Sequence, residues 1–79
     1  MSSEFPSMKA RPLLRVLMRE PLSYRIVRQR GSHRRLESAM GFPPLLFAFH
    51  DKATVRSGLI RAVLVESVGL TEEKAKELL

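Results

Sequence analysis

Cysteine is absent from this 79-residue chain, and only two histidines are present. The lack of cysteine excludes disulfide bonds, thiolate zinc sites and cysteine nucleophiles, and two histidines are too few for a histidine-rich metal cage. No apolar run reaches the roughly 18 residues of a membrane-spanning helix, and the first residues lack the apolar stretch of a signal peptide. No Walker A or GxGxxG pattern occurs, which argues against a nucleotide-binding α/β enzyme. We therefore expect one small cytoplasmic domain that uses no metal and no cofactor.

Positive charge is the strongest feature of the composition. The formal net charge is +6, and ten of the fourteen cationic residues are arginine. Residues 9–35 carry nine cations and one glutamate, whereas residues 62–79 carry four glutamates and two lysines. Arginine is suited to phosphate because its planar guanidinium bonds two oxygens at once. The uneven charge predicts a protein that binds a polyanion; the alternative is a basic surface with no specific partner.

Helical spacing of apolar residues occurs in two segments, and a third helix is indicated by its cap. The first segment spans residues 10–19, with predicted inward side chains Ala10, Leu13, Leu14, Leu17 and Met18. The second spans about residues 56–68, with predicted inward side chains Leu59, Ile60, Val63, Leu64 and Val68. Gly69 is predicted to stop the second helix. Thr71 is predicted to cap a short last helix, with Glu72 and Glu73 in its first turn.

Three strands are predicted between the helices, at residues 22–29, 33–37 and 45–49. In the first strand, alternation places Leu22, Tyr24 and Ile26 on one face and Arg25, Val27 and Gln29 on the other. In the second strand, His33, Arg35 and Glu37 lie opposite Arg34 and Leu36. A tight turn at residues 29–32 joins these strands, with Gly31 able to take a positive φ. The third strand is apolar on both faces, so we expect it to be buried.

The predicted order is α-β-β-β-α followed by a short helix. Three antiparallel strands with both main helices on one face form an α+β two-layer sandwich whose other sheet face stays open. The domain is predicted to comprise residues 8–79. Residues 1–7 are Ser/Pro-rich without helical spacing and are predicted to be a disordered N-terminal tail.

The densest polar cluster surrounds the predicted tight turn. Its members are Arg28, Gln29, Arg30, Gly31, Ser32, His33, Arg34 and Arg35. Histidine exchanges protons readily near neutral pH, and arginine cations stabilise charge that develops on phosphate oxygens. RNA cleavage needs this chemistry and no cofactor, because a base removes the 2′-hydroxyl proton, the 2′-oxygen attacks its own phosphate and an acid protonates the leaving 5′-oxygen. His33 is therefore a candidate catalytic residue, and the alternative is a surface histidine beside a turn.

Other polar residues carry weaker signals. His50 ends the third predicted strand and is a second candidate for proton transfer, although a strand-end histidine more often bonds the backbone. Arg11, Arg15 and Arg19 recur every four residues; this stripe either follows a phosphate backbone or is a solvated helix face. Asp51 is interpreted as a turn residue rather than a metal ligand.

Four pieces of sequence occur in an order that resembles the HicA toxin family. The opening helix reads KARPLLRVL at residues 9–17, and the first strand leads into VRQRGSHR at residues 27–34. The third strand ends in His50, and TVRSGLIR at residues 54–61 begins a helix that closes on VGLT at residues 68–71. Gly-Ser-His at residues 31–33 is the most specific motif. The sequence departs from the family at residues 20–23, where many members have a glycine.

This resemblance implies a fold like that of the double-stranded-RNA-binding domain. It implies a bacterial endoribonuclease toxin that cleaves mRNA with His33 as general acid or base, and a HicB-type antitoxin that covers the site. The free toxin is then expected to be a monomer, with His50 as a neighbour of the site. The residues predicted to bind RNA phosphates are Lys9, Arg11, Arg28, Arg30, Gly31, Ser32, Arg34 and Arg35. One alternative is a non-catalytic RNA-binding module of the same fold; another is a protein whose basic face binds an acidic partner.

Overall fold

A three-stranded antiparallel sheet with helices on one face organises the fold in the computed structural model, which describes residues 4–79. The elements along the chain are β1 (Met8–Lys9), α1 (Ala10–Met18), β2 (Tyr24–Arg30), β3 (His33–Ser38), β4 (Leu45–Phe47), β5 (Thr54–Val55), α2 (Ser57–Arg61), a π-helical segment (Ala62–Ser67) and α3 (Glu72–Leu78). The sheet order is β2-β3-β4, and β1 pairs with β5 in a separate antiparallel ribbon that the sequence did not predict. The predicted α+β class is confirmed.

The hydrophobic core lies between the inner face of the sheet and the helices. The sheet contributes Tyr24, Leu36, Leu45 and Phe47, and the helices contribute Ala10, Leu13, Leu14, Leu17, Ile60, Leu64, Val68 and Ala75. Each large apolar side chain buried in this way stabilises the fold by about 1.5–3 kcal/mol relative to an exposed position. The opposite face of the sheet carries no such residues and remains open, as the two-layer arrangement predicts.

The buried face of α1 follows the predicted spacing with one correction. Met18, expected to face inward, is 42% exposed at the last residue of the helix, and Val16 is buried instead. The first backbone N–H groups of α1 have no side-chain cap. The loop before β5 supplies their acceptors, because Ala10 N donates to Ala53 O at 2.9 Å and Arg11 N donates to Asp51 O at 3.2 Å. This loop is thereby held against the start of α1.

The second predicted helix forms as α2 and the π-helical segment together. Its buried stripe is Ile60, Leu64 and Val68, while Leu59, expected to face inward, is 49% exposed. The π-helical hydrogen bond from Val68 N to Val63 O, at 2.9 Å, closes a turn wider than that of an α-helix. Because a π-helical turn contains more residues than an α-helical turn, buried side chains four residues apart lie on one face of this helix.

The predicted ends of the last two helices are confirmed. Gly69 has a φ of +96°, the left-handed conformation that stops a helix, and the Thr71 hydroxyl accepts a hydrogen bond from Lys74 N at 3.1 Å. Glu72 and Glu73 lie in the first turn of α3, where carboxylates interact favourably with the helix dipole.

The N-terminal segment, expected to be a disordered tail over residues 1–7, is described only from residue 4. Residues 1–3 of that segment lie outside the described residues. Phe5 is only 7% exposed and belongs to the core, with the Lys76 ammonium 5.5 Å from the centre of its ring. Within residues 4–79, none of the helices has the length and apolar character needed to cross a membrane.

The third predicted strand is shorter and more exposed than expected. β4 comprises Leu45–Phe47 and lies at the edge of the sheet, paired with β3 alone. Leu45 and Phe47 face the core, but Leu46 is 67% exposed on the open face. The apolar run therefore does not mark a central strand, because one of its faces has no covering layer.

Candidate nucleic-acid interface

A β-bulge in β2 determines which arginines reach the open face of the sheet. Ile26 pairs with Leu36, but the next paired residue is Arg28, opposite Arg35, so Val27 is the extra residue of the bulge. A regular strand would place Arg28 and Arg30 on the same face as Tyr24 and Ile26. The bulge reverses the alternation, and both arginines join the open face. The predicted alternation is therefore correct only up to Ile26.

The turn after β2 brings His33 back beside Arg30. Gly31 and Ser32 form the two-residue connection, and Arg30 pairs directly with His33. Gly31 has a φ of +61°, and it is the only left-handed residue of the two, as in a type II′ hairpin turn. The predicted turn and its positive φ are confirmed. Gln29 supports the turn by donating a hydrogen bond from Nε2 to Gly31 O at 3.0 Å.

Three arginines and His33 line one cavity on the open face. The cavity has a volume of about 260 Å³, and its lining residues are Arg28, Arg30, His33, Arg35 and Leu46. All except Leu46 come from the β2–β3 hairpin, so their backbone positions are fixed by strand pairing. Leu46 pairs with Arg35 across the β3–β4 ladder and forms the apolar wall of the cavity.

The polar groups of this cavity are available for a ligand. Within the described part of the chain, the side chains of Arg28, Arg30 and His33 make no hydrogen bond or ion pair. Arg35 makes one contact, an exposed ion pair from Nε to Glu37 Oε2 at 3.8 Å. A pair this long and exposed contributes little to stability, so it leaves the guanidinium free to exchange partners. The cluster therefore presents three guanidinium groups beside one imidazole.

Like charges within this cluster lower the stability of the fold. Arg28 lies directly opposite Arg35, and like charges in that position destabilise a sheet by roughly 0.2–1 kcal/mol. Farther from the turn, Arg25 lies opposite Glu37, so opposite charges face each other there, although the ion pair of Glu37 is with Arg35. A polyanion bound at the cavity would neutralise the unfavourable pair.

Arg34, predicted to bind phosphate, is turned away from this cavity. Its side chain is 11% exposed on the inner face of β3 and donates from Nη2 to Asp51 Oδ1 at 2.7 Å. Arg11 reaches the same carboxylate at 3.6 Å. The hydrogen bond from Arg34, together with the nearby guanidinium charges, lowers the pKa of Asp51 below its ordinary value. Alternation along β3 explains the placement, because His33 and Arg35 occupy the open face.

The remaining predicted site residues lie elsewhere. Lys9 donates from Nζ to Lys52 O and to Thr54 Oγ1, both at 3.2 Å, and Arg11 is held by Asp51. Neither lines the cavity of His33, and neither does His50, whose carbonyl accepts from Ala53 N at 2.9 Å in the loop after β4. Of the arginine stripe on α1, Arg19 donates to Leu78 O at 2.9 Å. These contacts lie outside the cavity that His33 lines.

Leu46 is the cavity residue that the sequence analysis missed. It was grouped with a buried strand because both of its neighbours are apolar. The available signal was the pair of prolines at residues 43 and 44, since proline before a short strand is typical of a sheet edge. In the described residues, no three histidine, aspartate or glutamate side chains are grouped so that they could hold a metal ion.

Comparisons with known proteins find no matching family model, no matching curated protein and no matching solved structure. The resemblance to the HicA family therefore stays a prediction that depends on the motif residues themselves.

Proposed function

We propose that this protein is an endoribonuclease toxin of the HicA type that cleaves mRNA without a metal ion. The observation that supports this most strongly is the cavity in which His33 stands beside Arg28, Arg30 and Arg35. The element order from α1 through β2–β4 to α2 is in keeping with a double-stranded-RNA-binding-domain-like fold. A HicB-type antitoxin would neutralise the toxin, and the free chain is proposed to be a monomer.

In the proposed reaction, the cluster acts on one phosphodiester of an RNA strand. The His33 imidazole accepts the proton of the 2′-hydroxyl, and the 2′-oxygen attacks the adjacent phosphorus. The bond to the 5′-oxygen breaks, that oxygen takes up a proton from solvent, and His33 returns its own proton to solvent. The products are a 2′,3′-cyclic phosphate and a 5′-hydroxyl. No water molecule or redox partner is consumed.

The arginines act on the phosphate rather than on the proton. Guanidinium groups of Arg28, Arg30 and Arg35 hold the two non-bridging oxygens and stabilise the extra negative charge of the transition state. Because two of these groups have no partner within the described residues, the free enzyme breaks no internal ion pair of theirs when RNA binds. Arg34, Lys9 and Arg11 are left out of this role because none of them lines the cavity of His33.

The experiment that tests the proposal compares two histidine variants. A labelled mRNA is incubated in EDTA with the parent protein, with His33→Ala and with His50→Ala, and the products are separated on a denaturing gel. The parent and His50→Ala are expected to cleave, whereas His33→Ala is expected to lose about 10²–10⁴-fold in rate, as for removal of a general acid or base.

The outcome also separates the alternative function. Salt-sensitive RNA binding by all three proteins, with no product from any of them, would support the non-catalytic RNA-binding module. Cleavage by His33→Ala at the parental rate would remove His33 from the chemistry.

A further inference from the structure

The free edge of the sheet carries a second cavity. β4 pairs with β3 on one side, and within residues 4–79 its backbone makes no hydrogen bond on the other side. A cavity of about 270 Å³ runs along this strand and is lined by Pro44, Leu45, Leu46, Phe47, Phe49, Val63 and Ser67. Leu45 and Phe47 point to the inner face and Leu46 to the outer face, so the cavity must follow the open edge itself.

The walls of this edge cavity are mostly apolar, with Ser67 as a polar lining residue. Phe47 and Phe49 meet edge to face with ring centres 5.2 Å apart, and Val63 belongs to the π-helical segment on the far side. A groove between an exposed strand and a helix is the setting in which an extended peptide adds to a sheet. Backbone hydrogen bonds then provide affinity, and alternate side chains of the peptide enter the groove.

Leu46 connects the edge cavity to the arginine cluster. It lines both the edge cavity and the cavity that holds His33. A strand added to β4 would lie two strand spacings, roughly 10 Å, from the backbone of β3. Extended carboxylate and guanidinium side chains bridge that separation, so outward-facing acidic residues of the added strand would reach Arg35. The open face therefore favours acidic residues at those positions.

We propose that β4 is the docking edge for an extended segment of an acidic partner protein. Its inward residues are apolar and fill the cavity beside Val63 and Phe49. Its outward residues are acidic and pair with Arg35, which lines the cavity beside His33. The identification of this partner as the inhibitory antitoxin rests on the function proposed above, whereas the binding of an alternating apolar–acidic strand does not.

The test uses two synthetic peptides of identical composition. In one, valine and glutamate alternate, and in the other the valines and glutamates form separate blocks. Both are titrated into the full chain, and amide chemical shifts and hydrogen exchange are followed by NMR. The alternating peptide is expected to protect amides of β4 from exchange. It should bind roughly tenfold more tightly than the block peptide, because only alternation fills the cavity while pairing the carboxylates.

Matched variants locate the binding surface. Val63→Glu places a carboxylate in the edge cavity and is expected to abolish the preference for the alternating peptide. Leu59→Glu adds the same charge to the exposed side of α2, outside the cavity, and is expected to leave that preference unchanged. Unfolding of both variants is measured in urea, so that a loss of fold is not mistaken for a loss of binding.

Two results would overturn the proposal. One is equal affinity for both peptides with shifts confined to the arginine cluster, which would show simple charge attraction. The other is concentration-dependent protection of β4 in the chain alone, which would make a second copy the occupant. Since these readouts do not depend on RNA, the docking proposal can fail while cleavage is observed. An absence of cleavage, conversely, leaves the peptide result intact and removes only the partner's identification as an antitoxin.

Discussion

Replacement of Arg28 by glutamine should stabilise the fold and weaken RNA binding at the same time. Arg28 lies opposite Arg35, and removing one member of a like-charged cross-strand pair relieves about 0.5 kcal/mol. For a domain of this size, that change raises the melting temperature by about 2–4 °C. The gain should shrink as salt is added, because the repulsion between exposed charges is screened.

The matched control is Arg25→Gln on the same strand and the same face. Arg25 lies opposite Glu37, so this substitution relieves no cross-strand repulsion and should not raise stability. Both variants lose one positive charge, and a general effect of net charge would therefore shift their stabilities in the same direction. Thermal unfolding at low and high salt distinguishes a pairwise effect from a global one.

RNA binding supplies the second half of the prediction. In a His33→Ala background that leaves the RNA uncleaved, Arg28→Gln should weaken binding and reduce the slope of log K against log salt by about 0.7, the value for one phosphate contact on a single strand. Two results would refute the assignment of Arg28 to a phosphate-binding site that lowers the stability of the fold. One is a lower melting temperature of Arg28→Gln, and the other is an unchanged slope of log K against log salt.

Two further substitutions test the framework behind the cluster. Asp51→Asn removes the charged acceptor of the hydrogen bond from Arg34. The pKa of Asp51 is lowered in the folded state, so its ionised carboxylate stabilises the fold above the ordinary aspartate pKa. This stabilisation is lost as pH falls through the pKa of Asp51 in the folded protein. The stability difference from the parent, measured by urea unfolding, should therefore be largest near neutral pH and vanish in acid. Tyr24→Phe removes a 2.6 Å hydrogen bond to Pro43 O and should cost about 1 kcal/mol while leaving RNA cleavage unchanged; a matching loss of cleavage would contradict the separation of core and site.

Periodicity and turn chemistry in the sequence were sufficient to predict the main elements. The turn at Gly31, the stop at Gly69 and the cap at Thr71 depend on local signals and are confirmed, and the stripe of α1 is confirmed except at Met18. His33 was likewise placed correctly on the exposed face of the second strand, because alternation over a short regular strand leaves little freedom.

The bulge at Val27 was not predictable from alternation. A single extra residue moves every later side chain in β2 to the opposite face of the sheet, and the residue type at this position does not indicate a bulge. Arg34 was assigned to the site for another reason, its place in the polar cluster next to His33, although alternation along β3 places it on the opposite face. The structure separates it from Arg28 and Arg30, since Arg34 alone faces inward and bonds Asp51.

Long-range packing accounts for the other differences. Phe5 joins the core from a segment with no periodicity, and Leu46 is exposed because β4 lies at the edge of the sheet. Burial at both positions depends on which elements become neighbours in space. A single sequence carries little information on that choice.

A pair of single-residue deletions tests most directly the central claim that cleavage requires Arg28 on the open face beside His33. Without Val27, the existing pairs of β2 with β3 continue in a regular register, and Arg28 stays opposite Arg35 on the open face. Without Gln29, the regular register places Val27 opposite Arg35 and turns Arg28 to the inner face. Both deleted residues are exposed and lie outside the core.

The measurement is the rate of cleavage of a labelled mRNA in EDTA by the parent and by both deletion variants, with folding of each checked by thermal unfolding. The account predicts that the variant lacking Val27 cleaves at close to the parental rate. The variant lacking Gln29, although folded, should lose about 10²-fold or more, as for removal of a group that stabilises transition-state charge. Equal cleavage by the two folded variants would contradict the claim that Arg28 must stand beside His33.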